Sequence, residues 1–334
     1  MLYAVSGGSL YDVTPTFNED GNVTHRTVNA SVRSGFANNR WRVAIINRHA
    51  FWVNGVDAPF QLQPAGTIAD NHGLASEAAG FNANLLTDVL VFKNRLFFLE
   101  KGTARVFYGP IDAVQGSLNA FDLALVSDKG GTCAGFGTLS IDSGTGIDDL
   151  LCFFMSTGNM LLYKGTDPGT REAWQQIGEF NIGRVLGDRP LVKFGGDLLA
   201  LTDNGLTSVL DLIRPRQGDF LRLSDKVQSL ISQDAKLYGD RSDWQMIYHP
   251  QANWLMCHVP EQQGVAHQYV QNSQTGAWTI FDGFPVHCWE VFDRNVYFGG
   301  PDGAVHLADT GKSDGGNEID AELITAKHLS LIHI

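Results

Sequence analysis

Between Trp244 and Thr310 the chain alternates short apolar runs with turn-forming residues, and no other feature limits its fold as strongly. The runs are Gln245–Tyr248, Leu255–Val259, Ala266–Val270, Trp278–Phe281, Trp289–Phe292 and Val296–Phe298, and Ala304–Leu307 begins a seventh. Each has the length of one strand, and the breaks carry Pro, Gly, Asn and Asp, which set turns. About four such strands followed by the start of another is the pattern of one propeller blade and its neighbour.

The rest of the chain repeats this unit at the level of its turns. Seven hairpin-like units carry a turn glycine, at Gly8, Gly55, Gly102, Gly158, Gly205, Gly264 and Gly303, with gaps of 47, 47, 56, 47, 59 and 39 residues. A period near 47 falls within the roughly 40–50 residues of propeller blades. Asn54-Gly55, Asn204-Gly205 and Asp302-Gly303 are pairs that accept positive φ at low cost. With 37 glycines in 334 residues some regularity arises by chance, but each of these glycines lies between two apolar runs.

The fold expected is therefore all-β: a β-propeller of seven blades, with six as the alternative. Residues 1–328 form its single domain. Composition agrees, since charged residues are 18% of the chain, below the roughly 25% of ordinary domains. One helix interrupts the pattern, a short insertion near 224–232. Ser224 is placed to cap it, and Val227, Leu230 and Ile231 fall at helical spacing. It lengthens the gap between Gly205 and Gly264. The polar segment 68–84 reads as an inter-blade loop with at most a short helix over 74–79, and Gly109–Leu118 as a connector.

Net charge is −12, which repels phosphate at long range and argues against a sequence-reading nucleic-acid binder. Arg214-Pro215-Arg216 is the densest basic stretch and reads as a solvated turn. Cys133, Cys152, Cys257 and Cys288 form no CxxC pair, so zinc and redox motifs are absent and buried free thiols are expected. Met1-Leu2-Tyr3 lacks the basic start and apolar core of a signal peptide. Leu150–Met155, the longest apolar run, is far too short to span a bilayer. A soluble protein made in a reducing compartment is expected.

Catalytic motifs are sought without success. Neither Gly-x-Ser-x-Gly nor His-Glu-x-x-His occurs, and the ten histidines, His249, His258, His287 and His306 among them, are scattered singly. Asp148-Asp149, ahead of a strand, could pair as general acid and base, but a turn role is preferred. Gly311-Lys312-Ser313 resembles the end of a phosphate loop, yet the first glycine that loop needs would sit at His306. Asp309, Asp314, Glu318 and Asp320 lack the spacing of a calcium loop. The stretch Gly165–Trp174 resembles the Asp-box turn of sialidase-like propellers with a longer spacing to Trp174; there Asp167 would cap backbone N–H groups and Trp174 would pack beneath. No catalytic, cofactor-binding or metal-binding residue is assigned, no cofactor is expected, and the chain is not expected to be an enzyme.

Three segments carry a family resemblance: Gly195-Gly196-Asp197-Leu198-Leu199-Ala200-Leu201-Thr202, Leu223-Ser224-Asp225-Lys226-Val227, and Asn272-Ser273-Gln274-Thr275-Gly276-Ala277-Trp278. With Cys288–Gly299 they resemble propeller-bearing virion proteins of tailed bacteriophages, of the tail-hub, packaged-DNA-stabilisation or tail-nozzle type of short-tailed phages. The resemblance covers roughly residues 80–310 and rests on the order of elements. It implies a non-catalytic structural component of the tail or head-to-tail junction, made in the bacterial host cytoplasm. The ring would be homo-oligomeric, a hexamer, around the DNA exit channel. Its partners would be copies of itself and other tail and adaptor proteins; DNA would only pass through, and no membrane is involved. An acidic channel would let DNA slide without sticking. The alternative is a propeller glycosidase or carbohydrate-binding module with its site at the central channel. The segment 329–334 resembles the in-frame translation of a transposase sequencing adapter and is expected to be non-native, in which case a fragment of a longer protein is expected.

Overall fold

Leu150–Met155 is apolar at every position, and the computed structural model of the protein shows why. Successive side chains of a strand point to opposite faces. Leu151, Phe153 and Met155 enter one buried cluster with Phe97, Val106 and Trp174. Leu150, Cys152 and Phe154 enter another with Leu198, Ala200 and Val209. The strand is covered on both faces by neighbouring sheets, so neither parity can be polar. Fully burying each large apolar side chain stabilises the fold by roughly 1.5–3 kcal/mol.

The same sandwiching recurs around a ring. The structure describes residues 1–321 except 21, 71–72, 143–146, 214–222, 263–264, 285, 312–317 and 320. Seven antiparallel sheets follow one another along the chain, arranged as a β-propeller. Blade 1 holds Tyr3–Ser6, Ser9–Asp12 and Arg33–Ser34; blade 2 holds Arg42–Ile46, His49–Val53, Phe60–Leu62 and Ile68–Ala69. Blade 3 holds Leu86–Phe92, Arg95–Glu100, Arg105–Tyr108 and Asn119–Asp122; blade 4 holds Cys133–Asp142, Ile147–Met155, Asn159–Gly165 and Trp174–Asn181. Blade 5 has Leu191–Phe194, Asp197–Thr202 and Gly205–Ser208. Blade 6 has Gln245–His249, Trp254–Pro260, Ala266–Asn272 and Trp278–Asp282, and blade 7 has Cys288–Phe292, Asn295–Gly299 and Val305–Leu307. The alternating stretch after Trp244 is thus one complete blade and the next, as its pattern predicts.

One turn glycine falls in each blade. Gly264 lies outside the described residues; the other six all have positive φ. Gly205 shows the constraint most clearly, with φ at +101° and a position where a Cβ would sit 2.6 Å from Ser224 Oγ.

Six buried clusters lie between successive blades, from blades 1 and 2 through blades 6 and 7. Among the described residues no such cluster joins blade 7 to blade 1. The chain instead crosses the ring with polar contacts around Arg40 and Arg189.

Three local expectations need correction. The inserted helix, α2, runs over Gln228–Tyr238 rather than near 224–232, behind a short α1 at Val209–Ile213. Ser224 does not cap it. Its hydroxyl accepts a hydrogen bond from Leu206 N–H at 2.9 Å, so blade 5 has already taken the acceptor the helix would need. Val227 and Ile231 are buried, but Leu230 is exposed. In place of a helix over 74–79, Leu74–Ala75 pairs in parallel with Gly116–Ser117 inside the supposed connector. The two long loops satisfy each other's backbone, and Ser76 Oγ adds a bond to Leu118 O at 2.8 Å.

The cysteines divide. Cys133, Cys152 and Cys257 are buried free thiols, and burial pushes Cys133 and Cys257 up to about 12. Cys288 is exposed, contrary to expectation, because its neighbour Trp289 takes the inward face of that strand. Arg214-Pro215-Arg216, Lys312, Ser313, Asp314, Asp320 and residues 329–334 lie outside the described residues. Among those described, no helix is long and apolar enough to cross a membrane.

Candidate functional site

The innermost strands of blades 2 to 7 converge on a central cleft of about 590 Å³. Six charged residues line it: Arg42, Asp88, Asp188, Arg189, Lys193 and Glu290. They come from blades 2, 3, 5 and 7 or the segments entering them, so no local motif could reveal them. Three are cations and three are anions, so the lining of the cleft is charge-balanced.

Each carboxylate faces an arginine. Asp88 Oδ1 lies 3.7 Å from Arg42 Nε, with both side chains about three-quarters buried. Glu290 lies 3.7 Å from Arg189 Nη1. Asp188 accepts from Arg40 Nη1 at 2.9 Å. The backbone arranges these pairs. Met246 N–H donates to Arg189 O at 3.0 Å, and Arg189 Nη2 donates to Trp41 O at 3.1 Å, pinning the guanidinium against blade 2.

Burial dominates the electrostatics of the Arg42–Asp88 pair. Desolvation raises the Asp88 carboxyl above the ordinary carboxylate range, and the attraction of Arg42 only partly offsets this. Desolvation likewise lowers the Arg42 guanidinium, and the nearby charge of Arg189 lowers it further.

Four aromatic residues border the cleft. Trp41, Phe136 and Trp289 are 3%, 5% and 1% exposed, and the half-buried Tyr248 ring meets Phe194 edge-on at 5.1 Å. A sugar-binding site sets an exposed ring against the sugar face; the three buried rings are not available for that, which leaves Tyr248 alone.

The residues weighed in the sequence lie elsewhere. Asp149 is inside a strand rather than a turn, accepting from Lys93 at 2.6 Å and from Ser140 at 2.7 Å. The Lys93 bond, followed by that of Ser140, holds its carboxyl below the ordinary range, which suits a brace between blades 3 and 4 better than a general acid. The side chain of Asp148 lies outside the described residues. Asp167 does cap its turn, accepting from Gly169 N–H at 3.0 Å, and Trp174 is buried beneath. Among the described residues no group of three or more His, Cys, Asp or Glu side chains could hold a metal ion.

Fold and cleft together define a β-propeller with a charge-balanced central opening. No protein-family model matches the chain, and no curated protein matches it. Several solved propeller structures are similar at low identity. The β-propeller domain of Cps50 (Swd1) from Myceliophteria thermophila is 10% identical with a TM-score of 0.47, over 93% of this chain and 99% of that one. A candidate 6-phosphogluconolactonase from Bacteroides uniformis is 12% identical with a TM-score of 0.46, over 91% and 92%. The extracellular domain of the proposed one component system BT4673 from B. thetaiotaomicron is 12% identical with a TM-score of 0.43; this chain covers 43% of that chain's length. At such identities the likeness concerns the fold alone.

Proposed function

We propose that the chain is a non-catalytic scaffold, a propeller of the kind borne by tail-hub, packaged-DNA-stabilisation or tail-nozzle proteins of tailed bacteriophages. In this reading copies of the propeller assemble into a ring around the DNA exit channel and dock against other tail and adaptor proteins.

One observation carries the proposal: each carboxylate lining the cleft faces an arginine. A glycosidase needs two carboxyl groups with separated roles flanking one bond. Here each carboxylate has an arginine beside it as counter-charge, at 2.9 Å for Asp188 and 3.7 Å for Asp88 and Glu290. The buried Trp41 and Trp289 rings count against a carbohydrate-binding module in the same way.

The test uses the purified protein. Mass photometry is expected to show ring-sized oligomers, a hexamer in the simplest case, and a panel of aryl glycosides is expected to stay intact. A strict monomer that hydrolyses an aryl glycoside, and loses that activity in Asp88→Asn or Glu290→Gln, would overturn the scaffold reading. Reading frames for portal, adaptor or tail-needle proteins beside the gene would support the phage assignment, and a metabolic operon would count against it.

A further inference from the structure

The cleft holds more hydrogen-bond donors than its own carboxylates engage. A guanidinium offers five N–H donors. The closest recorded approach of Arg42 to a carboxylate is Nε to Asp88, at 3.7 Å and beyond hydrogen-bond length. Arg189 uses Nη2 on the Trp41 carbonyl, while its Nη1 stays 3.7 Å from Glu290. Two under-engaged guanidinium groups thus face one cleft, close enough for the charge of Arg189 to disfavour that of Arg42. Asp88, and more weakly Asp188 and Glu290, favour the Arg42 charge in turn, but none of them is recorded within hydrogen-bond length of it. Asp88 Oδ1 accepts from Val89 N–H at 2.9 Å, and burial works against its charge.

Beyond the guanidinium groups the wall becomes aliphatic. A second cavity of about 360 Å³ shares Val43, Leu90, Leu191 and Lys193 with the first and adds Ile45 and Val91. Val43 and Ile45 are 41% and 69% exposed there, although Ala44 and Ile46 on the same strand are buried against blade 3. An inner propeller strand with one parity packed and the other aliphatic and open presents a ready apolar surface. Cationic donors therefore stand beside an aliphatic wall in two adjoining cavities that share lining residues.

We propose that the central cleft binds a small amphiphilic carboxylate, with its head between Arg42 and Arg189 and its aliphatic body along Val43, Ile45, Leu90 and Leu191. The carboxylate meets planar N–H pairs that match its geometry, and such charge-assisted bonds are the strong ones. Each methylene moved from water onto the aliphatic wall strengthens binding about fourfold.

Isothermal titration calorimetry of the purified protein with octanoate, acetate and octanol at neutral pH tests this. Octanoate is expected to bind saturably, and acetate and octanol at least about tenfold more weakly, because each lacks one half of the recognition. Arg42→Gln is expected to weaken octanoate by about tenfold or more. Ile45→Asn, at an exposed position that leaves the fold intact, should weaken octanoate severalfold without changing acetate binding. Octanol binding as tightly as octanoate would overturn the proposal, as would full affinity in both variants or no saturable octanoate binding at millimolar concentrations.

Discussion

The Arg40 guanidinium donates to the Asp243 carboxylate at 2.6 Å, joining residues 203 positions apart in the chain. A second nitrogen donates to Asp188 at 2.9 Å. One side chain at the entrance of blade 2 is thereby tied to the segments entering blades 5 and 6. No hydrophobic cluster among the described residues joins the last blade to the first, so ties of this kind hold the ring across its centre.

Arg40→Met tests that tie. All three side chains are 41–47% exposed, so solvent screening limits each pair to roughly 0.2–1 kcal/mol. The variant is expected to lose about 1 kcal/mol in urea unfolding at low salt. The difference from the parent protein should shrink in about 1 M salt, where the screening length falls to roughly 3 Å. A difference that persists unchanged at high salt would assign the loss to packing of the arginine stem instead.

Blade 3 contains a far more demanding ion pair. The Glu100 side chain is 1% exposed and receives Arg105 at both oxygens, 2.6 Å from Nε and 2.7 Å from Nη2, with Thr103 Oγ1 adding a bond at 3.0 Å. Removing the arginine alone leaves a buried carboxylate without its counter-charge. Arg105→Met is expected to cost about 3–5 kcal/mol. Coupling Glu100→Gln to it should recover part of that loss, because the buried group is then neutral. Chemical denaturation of the two single variants and the double variant measures this; additive losses would show that the pair is not coupled.

Ser224 distinguishes a helix cap from a strand anchor. Its Oγ accepts the Leu206 N–H, and both groups are buried. Ser224→Ala leaves that donor unsatisfied, which costs about 1–3 kcal/mol. Hydrogen exchange locates the effect: the Leu206 amide is expected to lose protection while the α2 amides keep theirs. Faster exchange confined to the first turn of α2 would restore the capping role.

Ser224 also marks where legibility in the sequence ended. Blade count and strand positions could be read because period-two apolar runs and turn glycines are local, and each blade repeats them. The long first strand of blade 4, Cys133–Asp142, is poorly legible in the sequence. It holds Gly135 and Gly137, which weaken a strand signal, and at Gly137 a Cβ would meet Leu198 Cδ2 at 2.8 Å. The cap at Ser224 failed for a different reason: a serine before a helical pattern has one acceptor, and a distant strand claimed it. The cleft was illegible in principle. Arg42, Asp88, Arg189 and Glu290 share no spacing, and only ring closure brings them to one opening.

His258 gives the fold a direction in pH. It is 2% exposed, its Nδ1 receives Gln268 Nε2–H at 3.3 Å, and its ring meets Trp289 edge-on at 5.7 Å. Burial lowers its pKa from 6.5 to about 4. The folded-state value lies below the unfolded one, so the stability linked to this group is complete above pH 6.5 and is lost as pH falls toward about 4. Across that window the unfolded chain takes up a proton that the folded chain refuses, at a cost of about 3 kcal/mol. His249, lowered in the same direction by burial, adds to the slope. Asp88 and Asp197, whose carboxyls burial raises, work in the opposite direction as pH falls, so the difference between parent and variant, not the total slope, isolates the histidine. His258→Gln keeps a polar group facing Gln268 without the titration. It is expected to start less stable at neutral pH and to fall less steeply than the parent through this interval, as followed by urea midpoints at half-unit steps. Parallel slopes for the two proteins would show that His258 is not what acid attacks.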